Sequence, residues 1–447
     1  MLKRKAYRGL LEWKASSQGK TALLVEGARR VGKSTLAQDF GGREYKSCLV
    51  IDFFKASDDV KALFREFSND LNVLFSYLSG IYGVTLHERD SLVILDEIQF
   101  FPYARGMLKY FVEDGRYDFI ETGSLISIKQ NTSDILIPSE EVPFELNPFD
   151  FEEFLWALDE EHLADRIRDA REGHRPLPDA LHKKATRLFR EYLLVGGMPA
   201  PLAAYAEKRN FGAADEIKAQ IITLYRNDIA RFAKGYEYKV TSVLDEIPAQ
   251  LSKHEKKFTL SALEGDPRMR TYEEAFFWLA DARIASLCLN TADPHVGLKA
   301  SEDHSTLKCY MADTGLLITH AFDEGWLTRD EVYRDILLGK LQLNEGMLVE
   351  NMVAQMLRAQ GRKLWFYSRH SNNSEDRMEI DFLISAGKPA KITPIEVKST
   401  SRYTTSSLDK FKRKFENRIG EEYVLHTGQL RVEGKRTYLP LYMGWLL

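Results

Sequence analysis

The chain has 447 residues, 44% of them hydrophobic and 29% charged, a balance that excludes a disordered chain and leaves room for two or three domains. Its formal net charge of −4 gives no global attraction to nucleic acid or to a membrane surface, so any such contact must come from a local patch. The 3 cysteines, Cys48, Cys288 and Cys309, lie far apart without a Cys-x-x-Cys pair, which argues against structural zinc and against a disulfide framework.

The amino-terminal stretch MLKRKAYRGLLEWKASSQGK is basic but lacks the apolar run of about 7–15 residues that a secretory signal needs. No later stretch reaches the ~18 apolar residues of a membrane span. The expected location is therefore the cytoplasm, with no membrane partner. No fixed-period repeat is present, so a solenoid is not expected.

Between residues 20 and 140 short apolar runs alternate with helical patterns: TALLVEG, a helix from Lys33, CLVIDF, a long helical region, LVILDE and YDFIETG. Strands alternating with helices predict a parallel sheet with helices on both faces. The first strand runs into Gly27, Ala28, Arg29, Arg30, Val31, Gly32, Lys33 and Ser34, which match G-x-x-x-x-G-K-[ST] between a strand and a helix. In such a phosphate-binding loop (Walker A), the glycines let backbone amides converge on phosphate oxygens, and the helix amino terminus favours the anion. The motif assigns Lys33 to the β and γ phosphates of ATP and Ser34 to magnesium, with Thr35 beside them in the nucleotide contact.

In LVILDEIQ four apolar residues mark a buried strand that ends in Asp96 and Glu97, the position of a Walker B acid pair. Asp96 is expected to hold magnesium, largely through water, and Glu97 to orient or deprotonate the attacking water. The next strand, YDFIETGS, ends in Thr122 and Ser124, hydroxyls placed to sense the γ phosphate. Hydroxyls at strand ends also commonly bond a turn backbone.

After PFELNPF the pattern becomes helical. Asp150 and Glu153 have the spacing of a capping box for FEEFLWALDEE, and helical patterns continue to about residue 235. Residues 236–325 combine helices with strand-like ARIASLCLN and TLKCYMAD. This order resembles a winged-helix module, and it carries a basic run of Lys253, His254, Lys256 and Lys257, with Arg268 and Arg270 following. From about 335 a helix leads into KLWFYSRH, MEIDFLIS and ITPIEVKS, then a further helix and two final strands.

Loop, acidic strand and polar strand in this order resemble the AAA+ and related signal-transduction (STAND-like) ATPases. More narrowly, ARRVGKST, LDEIQ, ETGS, FEEFL, YLLVGGMP, YRNDI and MADTGLL in sequence resemble a prokaryotic family of AAA-type ATPases with an uncharacterised carboxyl-terminal domain. The resemblance covers nearly the whole chain and implies an ATP hydrolase. It also implies that Gly197, Met198 and Pro199 form a Gly-x-Pro sensor contacting the base, although GGMP is equally a turn and helix stop. Arg226 and Arg231 are candidates for an arginine finger, or else a solvated helix face.

In ITPIEVKS, strand alternation sets Glu396 and Lys398 opposite Ile395 and Val397, and in MEIDFLI it sets Asp381 opposite Ile380 and Phe382. A strand carboxylate followed by Glu-x-Lys on the next strand resembles the PD-(D/E)XK nuclease core, and Glu350 matches that family's helical acid. The resemblance implies a second divalent ion held by Asp381 and Glu396, with Lys398 positioning water. A solvated charged face gives the same spacing. On the following helix Leu408, Phe411 and Phe415 form a buried stripe, and Lys410, Lys412, Arg413, Lys414 and Arg418 form a basic patch able to meet a phosphate backbone.

The expected architecture is thus α/β throughout. A P-loop AAA-like domain spans 1–143, a helical lid 144–235, a winged-helix-like module 236–325, and a restriction-endonuclease-like domain 335–447. Beside ATP, the candidate partners are DNA or RNA, a protein, and a second copy of the chain. The expected role is a magnesium-dependent ATPase acting as a conformational switch or motor coupled to a carboxyl-terminal nuclease-like or nucleic-acid-binding domain. Its alternatives are an ATP-regulated metal-dependent nuclease and an ATPase with an inactive interaction module.

Overall fold

The computed structural model of the protein describes residues 2–123, 139–253, 257–258, 269–322, 333–338, 345–369, 371, 373, 375–386 and 391–447. The chain divides into two units, the first comprising Met1–Asn147 with Asp281–Arg283 and the second Pro148–Ala280 with Ile284–Leu447.

The first unit is built on a sheet of strands β1 (Ala22–Glu26), β2 (Ser47–Asp52), β3 (Ser91–Asp96), β4 (Asp118–Gly123) and β5 (Glu141–Glu145). Their order is β2-β3-β4-β1-β5, and every pairing is parallel. Strands β3 and β4 are buried along their whole length, as expected where helices cover both faces. One face packs Leu49, Ile51, Val93, Leu95 and Phe119 against Phe64, Leu74, Leu78, Leu108 and Phe111 of the flanking helices. Helix starts follow local chemistry: the Ser57 and Asp70 side chains accept from the backbone amides of Val60 and Val73.

The boundary expected at residue 143 falls inside β5, whose residues pair with β1, and the division lies instead between Asn147 and Pro148. This strand is short and mostly half-exposed or exposed, so it lacks the buried apolar run that marks the others.

The second unit opens with the capping box as expected: Asp150 accepts from the Glu153 amide at 2.9 Å, and Glu153 accepts from the Asp150 amide at 3.0 Å. Helices continue through Phe211–Phe232 and Glu237–Ser252. They are followed by β6 (Ala285–Thr291), β7 (Glu302–Met311), β8 (Leu364–Arg369), β9 (Met378–Ala386), β10 (Lys391–Val397), β11 (Glu422–His426), β12 (Arg431–Glu433) and β13 (Arg436–Pro440). These form one mixed sheet in the order β12-β13-β11-β10-β9-β8-β6-β7.

The sequence reading separates 236–325 from 335–447, yet strands from both stand side by side here. Cys288, Leu289 and Asn290 of β6 pair in parallel with Leu364, Trp365 and Phe366 of β8. Pairing between segments so distant in the chain leaves no mark on local periodicity. His254, Lys256 and Arg268 lie outside the described residues, and Lys257 is turned onto Glu379 at 3.4 Å.

Candidate nucleotide site and a buried carboxylate cluster

The phosphate loop connects β1 to the helix Lys33–Glu44 and sits at the carboxyl end of the parallel sheet. Its two glycines are required for different reasons. Gly32 adopts φ 97°, a left-handed conformation that only glycine reaches without strain. A Cβ on Gly27 would lie 2.4 Å from the Leu146 carbonyl oxygen, so this glycine is demanded by the chain leaving β5. Arg30 also takes a left-handed backbone, with φ 71°. Ala28 and Val31 are buried beneath the loop, whereas Arg30 and Thr35 are exposed and Arg29 is half-buried.

The Lys33 ammonium is buried and donates to the carbonyl oxygens of Gly27 at 3.0 Å and Ala28 at 2.9 Å, which aims it along the loop. The Ser34 hydroxyl donates to Asp96 Oδ1 at 2.6 Å. The Thr122 hydroxyl donates to the same oxygen, and the Glu97 amide donates to Thr122 Oγ1 at 3.3 Å. Because β4 lies between β1 and β3, its end carries Thr122 into the gap between loop and acid. Ser34, Asp96 and Thr122 therefore form one hydrogen-bonded group. Glu97 leaves β3 with φ 53°, and its carboxylate accepts from the Gln99 side chain. Ser124 lies outside the described residues.

Pro199 belongs to the second unit, where it occupies the first position of the helix Pro199–Lys208. The preceding glycines have packing roles. A Cβ on Gly196 would lie 2.2 Å from Asp313 Oδ1, and one on Gly197 would lie 2.2 Å from the Phe149 carbonyl oxygen. The Gly197 amide donates to Asp313 Oδ2 at 2.5 Å, while Asp313 Oδ1 caps the next helix by accepting from Leu316 at 2.9 Å. GGMP and MADTGLL are thus two halves of one buried polar knot. Arg226 pairs with Asp245 at 2.6 Å, and Arg231 lies over the Phe232 ring.

A separate cluster lies in the second unit's sheet. Lys398 Nζ is 2.8 Å from Glu396 Oε2, and Asp381 Oδ2 accepts from the Val397 amide at 2.8 Å. Glu350 and Glu396 are buried, which replaces the solvated face that strand alternation also allowed. Sequence reasoning missed three residues that complete the cluster: Lys308, Tyr310 and Glu379. Lys308 Nζ lies 2.9 Å from Glu379 Oε1, 3.1 Å from Glu350 Oε1 and 3.8 Å from Asp381 Oδ1. The Tyr310 hydroxyl donates to Glu350 Oε1 at 2.6 Å. The available signal was the alternation of TLKCYMAD, in which one face of a buried strand presents Lys308 and Tyr310.

Burial alone would lower the Lys308 pKa, but the carboxylates of Glu350, Glu379 and Asp381 outweigh it and hold the pKa well above the usual lysine value. Burial raises the Glu396 pKa against the opposing pull of Lys398.

The expected basic patch is largely engaged within the protein. Lys412 pairs with Glu422 at 2.9 Å, Arg413 with Glu375 at 3.5 Å and Arg418 with Asp293 at 2.5 Å. Lys414 donates to the Tyr367 hydroxyl at 2.8 Å, and Lys410 to the Arg377 carbonyl at 3.3 Å.

A phosphate loop on β1, an acid on β3 and a hydroxyl on the strand between them define an α/β nucleotide-binding domain of the P-loop class. Residues 19–155 match the family model described as an AAA domain, and this part of the chain is an AAA-type ATPase domain. Residues 186–325 match a domain of unknown function (DUF8612), and residues 345–443 match another (DUF4143). No curated protein matches the chain. Among solved structures, that of the Aeropyrum pernix Orc1 protein in complex with DNA is 12% identical over 72% of this chain and 93% of that one, with a TM-score of 0.27. Likeness of that degree carries nothing further. Among the described residues no helix is long and apolar enough to cross a membrane.

Proposed function

We propose that the protein is a magnesium-dependent ATPase whose nucleotide cycle acts as a conformational switch on its carboxyl-terminal unit. The observation that carries this reading is the shared hydrogen bonding of Ser34, in the first turn of the loop helix, with Asp96 and Thr122 at the ends of two adjacent strands. These oxygens suit a hard cation, and the residues fit magnesium: Ser34 would hold it directly and Asp96 through water. When bound there, the ion would offset charge on the β and γ phosphates. Lys33 exchanges its loop carbonyls for phosphate oxygens, and backbone amides of residues 27–34 hold the rest of the triphosphate. Glu97 orients the attacking water and receives its proton, while Thr122 links the state of Asp96 to the backbone of Glu97.

ATP turnover by the full chain, measured with and without DNA or RNA, tests this reading. Hydrolysis abolished by Lys33→Ala is expected. Wild-type protein that neither binds nor turns over ATP would refute it.

In this reading the carboxyl-terminal unit engages a nucleic acid or protein partner. The other role open to it is that of an ATP-regulated nuclease with a second divalent ion, which the gathering of Glu350, Asp381, Glu396 and Lys398 favours. The residues present do not fit that ion, because beside Lys398 a second, buried ammonium, that of Lys308, lies against Glu350, Glu379 and Asp381.

A further inference from the structure

Lys308 lies on β7, with its side chain 1% exposed, at the point where acids from separate elements converge. Glu350 reaches it from the helix Glu345–Ala359, and Glu379 and Asp381 reach it from β9. These oxygens surround Nζ at 2.9, 3.1 and 3.8 Å, within ion-pair reach of an ammonium. Glu396 has its own cation in Lys398, and the outer oxygen of Glu379 has Lys257. Each carboxylate therefore has an ammonium group of the protein within 4 Å.

A divalent ion entering the cluster would sit beside the fixed like charge of the Lys308 ammonium, which already lies against Glu350, Glu379 and Asp381. The Lys308 backbone is held in register with Cys288 of β6, and its ammonium also lies 5.1 Å from the Phe366 ring centre.

We propose that the Lys308 ammonium is the resident cation of this carboxylate cluster, so that the site takes no divalent metal ion and performs no metal-activated hydrolysis of a phosphodiester. The carboxyl-terminal unit then acts on its partner by association rather than cleavage. The inference concerns this unit alone, and ATP turnover by the first unit is a separate question with a separate readout.

The test is Mn²⁺ titration of the nucleotide-free full chain, followed by electron paramagnetic resonance of the free ion. A Ser34→Ala background removes the loop hydroxyl expected to bind metal. With Lys308 present, no site is expected that Asp381→Asn removes. Lys308→Met should create a Mn²⁺ site at least tenfold tighter than any in its parent, lost again when Asp381→Asn is added. A folded Lys308→Met protein without such a site overturns the proposal.

Because Lys308→Met leaves buried acids without their cation, at a cost to folding, a second measurement uses protein that retains Lys308. Labelled single- and double-stranded DNA and RNA are incubated with it and Mg²⁺ or Mn²⁺. Intact substrates are expected. Cleavage that Glu396→Gln abolishes, or a Mn²⁺ site in Lys308 protein that Asp381→Asn abolishes, overturns the proposal.

Discussion

The Ser34 hydroxyl and Asp96 Oδ1 are 2.6 Å apart, so the first turn of the loop helix and the end of β3 meet at one carboxylate oxygen. That contact predicts which changes affect metal use rather than nucleotide docking. Asp96→Asn removes charge from the magnesium side while leaving the loop amides in place. Turnover at fixed Mg²⁺ should fall roughly 10–100-fold. A magnesium titration of ATPase rate checks this, and an unchanged magnesium dependence would remove Asp96 from the metal site.

Glu97 stands one residue further on, with a left-handed backbone that turns its side chain out of the strand. Glu97→Gln keeps the shape and removes the base. The turnover rate should drop by about 10²–10⁴. Binding of a fluorescent ATP analogue should change little, and loss of binding equal to loss of turnover would show that Glu97 acts in docking instead.

Gly197 is held between the Phe149 backbone and Asp313. Gly197→Ala forces a Cβ against the Phe149 carbonyl oxygen and should destabilise the second unit by about 1–3 kcal/mol. Asp313→Ala leaves the Gly197 and Leu316 amides without their acceptor, and a similar cost is expected. Thermal melting of each variant measures both effects. Wild-type melting in either would mean that the turn relaxes freely.

Glu121 of β4 is wholly buried, near Arg105 at 3.6 Å, while Arg105 is bound more closely by Glu141 at 2.8 Å. Burial, and then the neighbouring Glu141 carboxylate, raise the Glu121 pKa well above its ordinary value of 4.5. A raised carboxyl pKa means that the folded state holds a proton the unfolded state releases. Stability from this group is therefore present below about pH 4.5 and declines as pH rises toward the folded pKa. Glu121→Gln should flatten this decline and raise the melting temperature at pH 8. A variant with the wild-type pH slope would place the titration elsewhere.

Much of the first unit was legible because its signals are local. Strand, loop and helix follow one another over residues 22–44, and phosphate geometry dictates glycine, lysine and serine at set spacing. The acid on β3 was equally plain, since a fully buried apolar run ending in Asp96 and Glu97 has few other readings. Strand β5 was less so, because its residues carry no buried apolar run, and the expected boundary cut through it.

By itself, the sequence determined that a phosphate loop precedes a helix, that an acid pair ends a buried strand, and that Asp150 and Glu153 cap one another. Each depends on residues within a few positions, where backbone geometry alone sets distance. Tertiary structure alone decided that β6 lies beside β8, that Asp313 receives the Gly197 amide, and that Lys308 stands among Glu350, Glu379 and Asp381. These contacts join segments whose separation along the chain says nothing of their separation in space, and packing of the whole sheet brings them together.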